Sequence, residues 1–212
     1  MLNGMLIIGV LYGAVFMAGE LLYHLGTDSN ITRKIIHIGS GVVSALLPFF
    51  VSYKITLFLA VFFILFIFLS ERYKYFHSIH NINWPSHGAL LFPISLLLVA
   101  LFFWESHPLA FSGSMLILGV SDGLASLIGR KWGKRSYYVV AEKTYEGSLV
   151  FFISTLVIFT GILAVQGIEG AVPFLIIALT SVFLTLVEGM SKRGWDNLFL
   201  PIITAVFLAF IL

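Results

Sequence analysis

An aspartate lies inside a long apolar stretch of this sequence. Asp122 follows the apolar residues 109–120, and the apolar character continues as far as Gly129. An ionisable side chain within a membrane segment costs about 2.5–3.5 kcal/mol on insertion scales, so it normally faces a cavity or a partner. Small residues surround it, and helical spacings of three and four put most of them on its side of a helix. They are Gly119, Gly123, Ser126, Gly129 and Gly133. The glycines alone would favour close packing of another helix, but packing does not require an acid.

The segment that follows concentrates cations. Residues 129–148, GRKWGKRSYYVVAEKTYEGS, carry five of the twelve Lys and Arg residues of the chain. Several cations beside a buried acid suit a polyphosphate, with carboxylates holding a divalent metal and cations neutralising the phosphate oxygens. The pattern therefore predicts a nucleotide site, with Asp122 and Glu146 as the candidate metal ligands.

A second motif, DSNITRKIIHIGSG, covers residues 28–41. Arg33 and Lys34 fall in the first turn of a predicted helix, where the helix dipole disfavours cations unless an anion binds there. His37 points the same way one turn deeper. These residues could instead anchor the helix at the membrane surface and form an interhelical hydrogen bond. Their occurrence together favours a functional role.

A third motif, EGMSKRGWDNLFLP, covers residues 188–201. Asp196 and Asn197 place an acid and an amide near the other motifs, although they could simply cap the last helix. Glu188 ends a predicted span and could pair with Lys192 at spacing four.

The elements that carry these residues are too apolar for a soluble domain. The 212 residues are 59% hydrophobic and only 10% charged, against about 25% charged in soluble domains. We predict an all-α, polytopic integral membrane helical bundle that forms a single domain, residues 1–212. A span needs about 20 apolar residues, and the sequence offers eight candidates, or seven because some are short. They are residues 3–23, 35–51, 55–70, 88–104, 109–129, 147–166, 171–188 and 198–212.

The loops between these spans differ in charge. Eleven of the twelve Lys and Arg residues lie after spans one, three, five and seven, and Lys54 alone lies in the other set. By the positive-inside rule, this predicts eight spans in the cell membrane, with the basic loops cytoplasmic and both termini outside. Residues 1–23 lack the features of a cleaved signal peptide and are predicted to be a retained span. The eleven residues are Arg33, Lys34, Arg72, Lys74, Arg130, Lys131, Lys134, Arg135, Lys143, Lys192 and Arg193.

Composition also excludes some functions. The formal net charge of +2 gives no basis for a nucleic-acid partner, and the absence of cysteine excludes disulfides and thiolate metal sites.

Three blocks of the sequence, taken in order, resemble the dolichol kinase, phytol kinase and CTP-dependent diacylglycerol kinase family of membrane proteins. They are TRKIIHIGSG, SDGLASLIGRKWGK…EKTYEGS and EGMSKRGWDNLFLPI. The resemblance covers essentially the whole chain. It implies CTP as co-substrate, Mg²⁺ or another divalent cation as cofactor, and a lipid alcohol from the bilayer as acceptor, such as phytol, dolichol, another polyprenol or diacylglycerol.

The resemblance also implies roles for individual residues. Asp122 and Glu146 would bind the metal, and Glu146 or Asp196 would accept the hydroxyl proton. The implied nucleotide-binding residues are Arg33, Lys34, His37, Gly123, Gly129, Arg130, Lys131, Gly133, Lys134, Lys143, Thr144 and Asn197.

Two other functions stay open at this point. The middle block also resembles phosphatidate cytidylyltransferases, and Ser121 is closer to their pattern than the glycine that often precedes the acid in the kinases. A small transporter could use Asp122 and His37 as a proton or ion path. The match of the first motif and the size of the chain favour the kinase. The sequence does not indicate an oligomeric state.

Overall fold

A computed structural model describes residues 2–73, 75–80 and 86–212 of the protein. Lys74, one of the loop cations counted above, lies outside the described residues. The described part contains ten α-helices: α1 Leu2–His24, α2 Ser29–Phe50, α3 Tyr53–Arg72, α4 His77–His80, α5 Gly88–Phe103, α6 Pro108–Leu116, α7 Asp122–Trp132, α8 Tyr145–Val165, α9 Ala171–Gly189 and α10 Asp196–Ile211. A π-helical turn, Ile117–Ser121, joins α6 to α7 without a break.

The polytopic helical bundle is confirmed. Each of the eight predicted spans overlaps one of these helices or the continuous α6–α7 unit. Five elements of the described chain are long and apolar enough to cross a membrane: α1, α3, the α6–α7 unit, α8 and α9. Helices α5 and α10 are equally apolar in character but shorter, with 16 residues each.

The α6–α7 unit is the centre of the bundle. Of its most apolar stretch 67% is buried within the protein, against 17–28% for the other four long spans. One apolar cluster packs α1, α2, α3 and α5 against α6 through side chains such as Phe111 and Met115. A second cluster packs α8, α9 and α10 against the same unit, around Phe151 and Phe159. A polar residue on this unit therefore faces protein on most sides and not lipid.

The π turn and α2 make backbone contact through two glycines. A Cβ added to Gly119 would lie 2.6 Å from Cα of Gly41, and a Cβ added to Gly123 would overlap the side chain of Ile38. The packing interpretation of these glycines is therefore correct, even though a buried acid, Asp122, lies between them in the sequence. π turns inside α-helices occur frequently at functional sites, and this one ends directly before Asp122.

We expect that replacing Gly41 with alanine will lower the free energy of unfolding by about 1–3 kcal/mol, the usual cost of overpacking a buried contact. The added methyl group would lie 3.0 Å from the backbone nitrogen of Gly119, so α2 and the π turn would have to separate. Thermal unfolding in detergent measures the change. Gly161→Ala on α8 is the matched control, because nothing lies within 4 Å of its added methyl group. Equal stability of the two variants would contradict this explanation.

One short hairpin adds strand structure to the predicted helical bundle. Strands β1, Ser136–Tyr138, and β2, Glu142–Thr144, pair antiparallel, with Tyr137 opposite Lys143. Strands of three residues are too short to show an alternating sequence pattern, which is why the sequence did not indicate them. The hairpin leads into α8, where the Thr144 hydroxyl accepts a hydrogen bond from the Gly147 amide at 3.2 Å and caps the helix.

Candidate functional site

Asp122 is a buried carboxylate with two cationic partners on α2. Its side chain is 2% exposed. The ammonium group of Lys34 donates to Oδ2 at 2.6 Å, and Nε2 of His37 lies 3.2 Å from the same oxygen. Lys34 and His37 are three residues apart, so both project from one face of α2. His37 Nε2 also lies 2.8 Å from the carbonyl oxygen of Leu118 in the π turn.

Two more carboxylates approach Asp122 from the other half of the bundle. Glu188 lies in the last turn of α9 and is buried, and Asp196 begins α10. One oxygen from each of Asp122, Glu188 and Asp196 lies within 4.8 Å of the others. Mg²⁺ and Ca²⁺ prefer carboxylate oxygens as ligands, so this set of three acids has the chemistry and the spacing to hold a divalent cation.

Lys143 brings a cation to the same acids. Its ammonium group donates to Oε1 of Glu188 and lies 3.9 Å from Oδ2 of Asp196. Burial lowers the pKa of this amine, but the carboxylates of Glu188, Asp196 and Asp122 outweigh burial and raise the pKa above its usual value. Lys143 is therefore positively charged at neutral pH.

These groups open into a polar cavity of about 370 Å³, within the size range of small-molecule sites. Its walls come from the start of α2, from α7, from the hairpin and the start of α8, and from the α9–α10 connection. Six cationic side chains line it: Arg33, Lys34, Arg130, Lys143, Lys192 and Arg193. Four carboxylates line it as well: Asp122, Glu142, Glu188 and Asp196. The surplus of cations suits a ligand with several negative charges.

Arg33 and Asn197 connect the cavity to the start of α5. Arg33 donates to the Ser86 hydroxyl at 2.8 Å, and the amide of Asn197 donates to the Gly88 carbonyl at 2.7 Å. A Cβ added to Gly88 would lie 2.9 Å from that amide nitrogen. The starts of α2, α5 and α10 are thus held together at one end of the bundle.

Most of the predicted site residues meet in this cavity. Nine of them line it: Arg33, Lys34, Asp122, Gly129, Arg130, Lys143, Thr144, Asp196 and Asn197. His37 does not line the polar cavity itself but contacts Asp122, which does. Gly123 instead packs α7 against α2, and Gly133 packs against Thr144. Lys131 and Lys134 are exposed, and the Lys131 ammonium group lies 4.7 Å from the ring centre of Trp132.

The structure does not bring Glu146 to Asp122. Its carboxylate accepts a hydrogen bond from the Arg135 amide at 3.4 Å, and it is not among the residues that line the cavity. Its neighbours Gly147 and Ser148 do line the cavity. Successive residues of a helix differ by about 100° in direction, so Glu146 points away.

Glu188 was missed as a candidate ligand. The sequence offered one signal, an acid at the end of a predicted span within the third motif, on the side where the other motifs converge. The pairing with Lys192 that the spacing allowed is replaced by the contact with Lys143.

The placement of the ionisable groups does not favour the transporter interpretation. Asp122 and His37 contact each other at one end of the bundle, and Glu188, Asp196 and the cations gather at the same end. A proton or ion path would need ionisable groups that continue towards the other end, and the two buried carboxylates of the described residues, Asp122 and Glu188, both lie at this end.

No family model and no solved structure matches the chain. Curated proteins do match. The chain is 29% identical to phytol kinase from Synechocystis sp. over 202 residues, which cover 92% of this chain and 85% of that protein. It is 29% identical to phytol kinase 1, chloroplastic, from Arabidopsis thaliana, over 58% of this chain but only 43% of the longer plant protein. It is also 36% identical to an uncharacterised protein of Methanocaldococcus jannaschii over 56% of each chain.

Proposed function

We propose that this chain, which is similar to phytol kinases, is a membrane lipid kinase that transfers the terminal phosphoryl group of CTP to the hydroxyl of a lipid alcohol. It is accordingly a phosphotransferase. The observation that carries the proposal is the meeting of three carboxylates within 4.8 Å of one another, in a cavity that six cationic side chains line. Phosphoryl transfer depends mainly on positioning and on neutralising charge, and this cavity has groups for both.

The donor set of the three acids fits Mg²⁺. Asp122, Glu188 and Asp196 would hold the ion, whereas Glu146 is no longer proposed because it lies outside the cavity. The bound ion would neutralise part of the charge that develops on the phosphates.

Lys34 and Lys143 serve two partners in turn. Without nucleotide, each donates to a buried carboxylate and compensates its charge, since an unpaired buried charge is strongly destabilising. When the nucleotide is bound, both ammonium groups donate to phosphate oxygens, together with Arg33 and Arg130 on the cavity wall.

Asp196 is the proposed acceptor of the hydroxyl proton. Its side chain is the most exposed of the three acids, at 13% against 2% for Asp122 and 6% for Glu188. It also precedes Asn197, which lines both the polar cavity and a small apolar cavity between α1, α2, α3 and α5. An acceptor hydroxyl beside Asn197 would therefore lie within reach of this carboxylate.

Ser121 does not favour the cytidylyltransferase. The middle block resembles that class as well, and Ser121 is closer to its pattern, but the Ser121 side chain is fully buried and does not line the polar cavity. Its identity therefore has no direct effect on a bound nucleotide.

Product analysis tests the proposal. The purified protein is incubated with Mg²⁺, a panel of lipid alcohols and lipid phosphates, and CTP, ATP or GTP in turn. We expect a phosphorylated lipid alcohol and CDP, with CTP as the preferred donor. Release of pyrophosphate from CTP with a lipid phosphate would overturn the kinase assignment, and equal use of all three nucleotides would overturn the CTP assignment.

We further infer that the site end of the bundle faces the cytoplasm, because ten of the eleven Lys and Arg residues in the described part of the chain lie at that end, Lys54 being the exception. Both ends of the described chain, at Leu2 and Leu212, would then lie outside.

Cysteine labelling should reveal this orientation without background, since the chain has no cysteine. Lys134→Cys and Glu169→Cys place a thiol on an exposed position at opposite ends of the bundle. In intact cells, a membrane-impermeant maleimide should label the Glu169 variant and leave the Lys134 variant unlabelled until the cells are opened. The reverse pattern would refute the inferred orientation.

A further inference from the structure

The two sides of the β1–β2 hairpin have different surroundings. Tyr137 marks the inner side: its hydroxyl is hydrogen-bonded to the Ser148 hydroxyl at 2.6 Å, and a Cβ added to Gly189 would lie 2.7 Å from the same oxygen. Tyr138, the next residue of β1, is 76% exposed, since successive side chains of a strand point to opposite sides. The hairpin is therefore fixed to α8 and α9 by one side and exposes the other.

The same hairpin forms part of the wall of the polar cavity. Three residues of β2 line that cavity: Glu142, Lys143 and Thr144. Gly133, which precedes β1, packs closely on this strand, because a Cβ added to it would lie 2.6 Å from Cγ2 of Thr144. A ligand that holds the hairpin in place therefore also holds these cavity residues in place.

The exposed side combines cations with apolar side chains. Lys131, Lys134 and Arg135 are exposed and are not among the described residues that line the polar cavity. Trp132 and Val139 are exposed beside them. Residues 131–141 contain no acid, so the three positive charges are not compensated within the segment. Clusters of Lys and Arg next to a membrane span are typical of sites for anionic lipid headgroups.

The hairpin lies where two spans end. The α6–α7 unit has 25 residues and ends at Trp132, and the α8 span has 21 residues and begins at Tyr145. At helical rise these spans are about 37 Å and 31 Å long, against roughly 30 Å for the hydrocarbon core and roughly 5–7 Å for each headgroup layer. Both aromatic residues are exposed, and Trp and Tyr are enriched at membrane–water interfaces. The connection between them, residues 133–144, therefore begins and ends at the level of the headgroups.

We propose that the exposed side of the hairpin, together with the end of α7, binds anionic phospholipid headgroups of its own bilayer. This contact holds β2 against the polar cavity and thereby lowers KM for the nucleotide. The headgroup site goes beyond the proposed function, and only its effect on KM rests on that function. Lys131 and Lys134, for which the family resemblance implies nucleotide binding, bind lipid phosphates instead. Each Lys or Arg near an anionic surface strengthens the attraction about fivefold.

A spin label tests headgroup binding without any measurement of activity, because the chain has no cysteine. Tyr138→Cys carrying a nitroxide is reconstituted in phosphatidylcholine alone and in phosphatidylcholine mixed with phosphatidylglycerol. Collisions of the label with a neutral, water-soluble nickel complex should decrease when the anionic lipid is present. The decrease should be lost when Lys131→Gln and Lys134→Gln are added. Lys54→Gln with Arg72→Gln is the matched control, since it removes two exposed cations elsewhere, and it should keep the decrease.

Turnover in the same two bilayers tests the effect on the nucleotide. KM of the wild type for CTP should be about fivefold or more lower in the anionic bilayer, which corresponds to the contribution of at least one cation. The variant Lys131→Gln/Lys134→Gln should lose most of this difference between the bilayers, whereas Lys54→Gln/Arg72→Gln should keep it.

The proposal is overturned if the label is equally accessible in the two bilayers. It is also overturned if Lys131→Gln/Lys134→Gln raises KM by the same factor in both, because the two lysines would then bind the nucleotide. Dipolar broadening between labels on two molecules would identify a second copy of the chain as the occupant of this surface, which contradicts the proposal as well. Failure of the proposed function has a different signature: no alcohol is phosphorylated in either bilayer, and the label alone then decides whether headgroups bind.

Discussion

Replacing Asp122 with asparagine is expected to lower kcat/KM for the lipid alcohol by at least two to three orders of magnitude, roughly the loss seen when a group that stabilises transition-state charge is removed. The change keeps the shape of the side chain and an oxygen that Lys34 can bind, but it removes the negative charge that a divalent cation requires. Asp122 is the carboxylate on the central α6–α7 unit and is 2% exposed, so water cannot replace it easily.

The experiment must distinguish a loss of activity in a folded protein from a loss of the fold. Thermal unfolding reports the fold, and Mn²⁺ binding in the presence of CTP, followed by electron paramagnetic resonance, reports the metal. Asp28→Asn is the matched control, since Asp28 caps α2 by accepting from the Asn30 amide and asparagine caps helices equally well. Full turnover by folded Asp122→Asn protein would refute the role of this acid.

The second large effect is a contrast between two glutamates. Glu188→Gln should lower kcat/KM by about 10²-fold or more, whereas Glu146→Gln should change it less than about twofold, in line with the small effects of substitutions away from a site. The reason is geometric: Glu188 has an oxygen within 4.8 Å of those of Asp122 and Asp196, and Glu146 instead contacts the Arg135 amide. The order of effects would be reversed if Glu146 were the second metal ligand.

A double variant distinguishes two roles for Glu188. This carboxylate either binds a metal or serves only to compensate the charge of Lys143. In a Lys143→Met background that second role no longer exists. If Glu188 is a ligand, adding Glu188→Gln should still abolish Mn²⁺ binding and lower activity further. If it only compensates charge, the double variant should match Lys143→Met alone.

The helices of this protein could be predicted from the sequence because their signal is strong and local. Runs of about 20 apolar residues have few alternatives to a spanning helix. The buried acid and the cations around it were also evident, since their cost in a bilayer leaves function as the simplest explanation for Asp122. Prediction of Arg33, Lys34 and Lys143 near that acid depended on the shared side of the membrane and on the family resemblance.

The features that the sequence did not reveal depend on the direction in which each side chain points and not on the composition of the segment. Glu146 and Gly147 are adjacent, yet only Gly147 faces the cavity, because the cap at Thr144 fixes where α8 begins and therefore which way each residue points. The π turn before Asp122 has the same apolar composition as an ordinary helical turn. The pairing of Glu188 with Lys143 joins residues 45 positions apart, which no local pattern indicates.

The two short helices, α5 and α10, determine how far the candidate site lies below the end of the bundle. Sixteen residues give α5 and α10 a length of about 24 Å each, less than the roughly 30 Å of a bilayer's hydrocarbon core. Asp196, at the start of α10, has an oxygen within 4.8 Å of Asp122, while α7 continues from Asp122 for ten more residues, about 15 Å. The proposed phosphoryl transfer would thus take place at the bottom of a recess below one end of the bundle, where a lipid could receive its phosphate without being lifted out of the membrane.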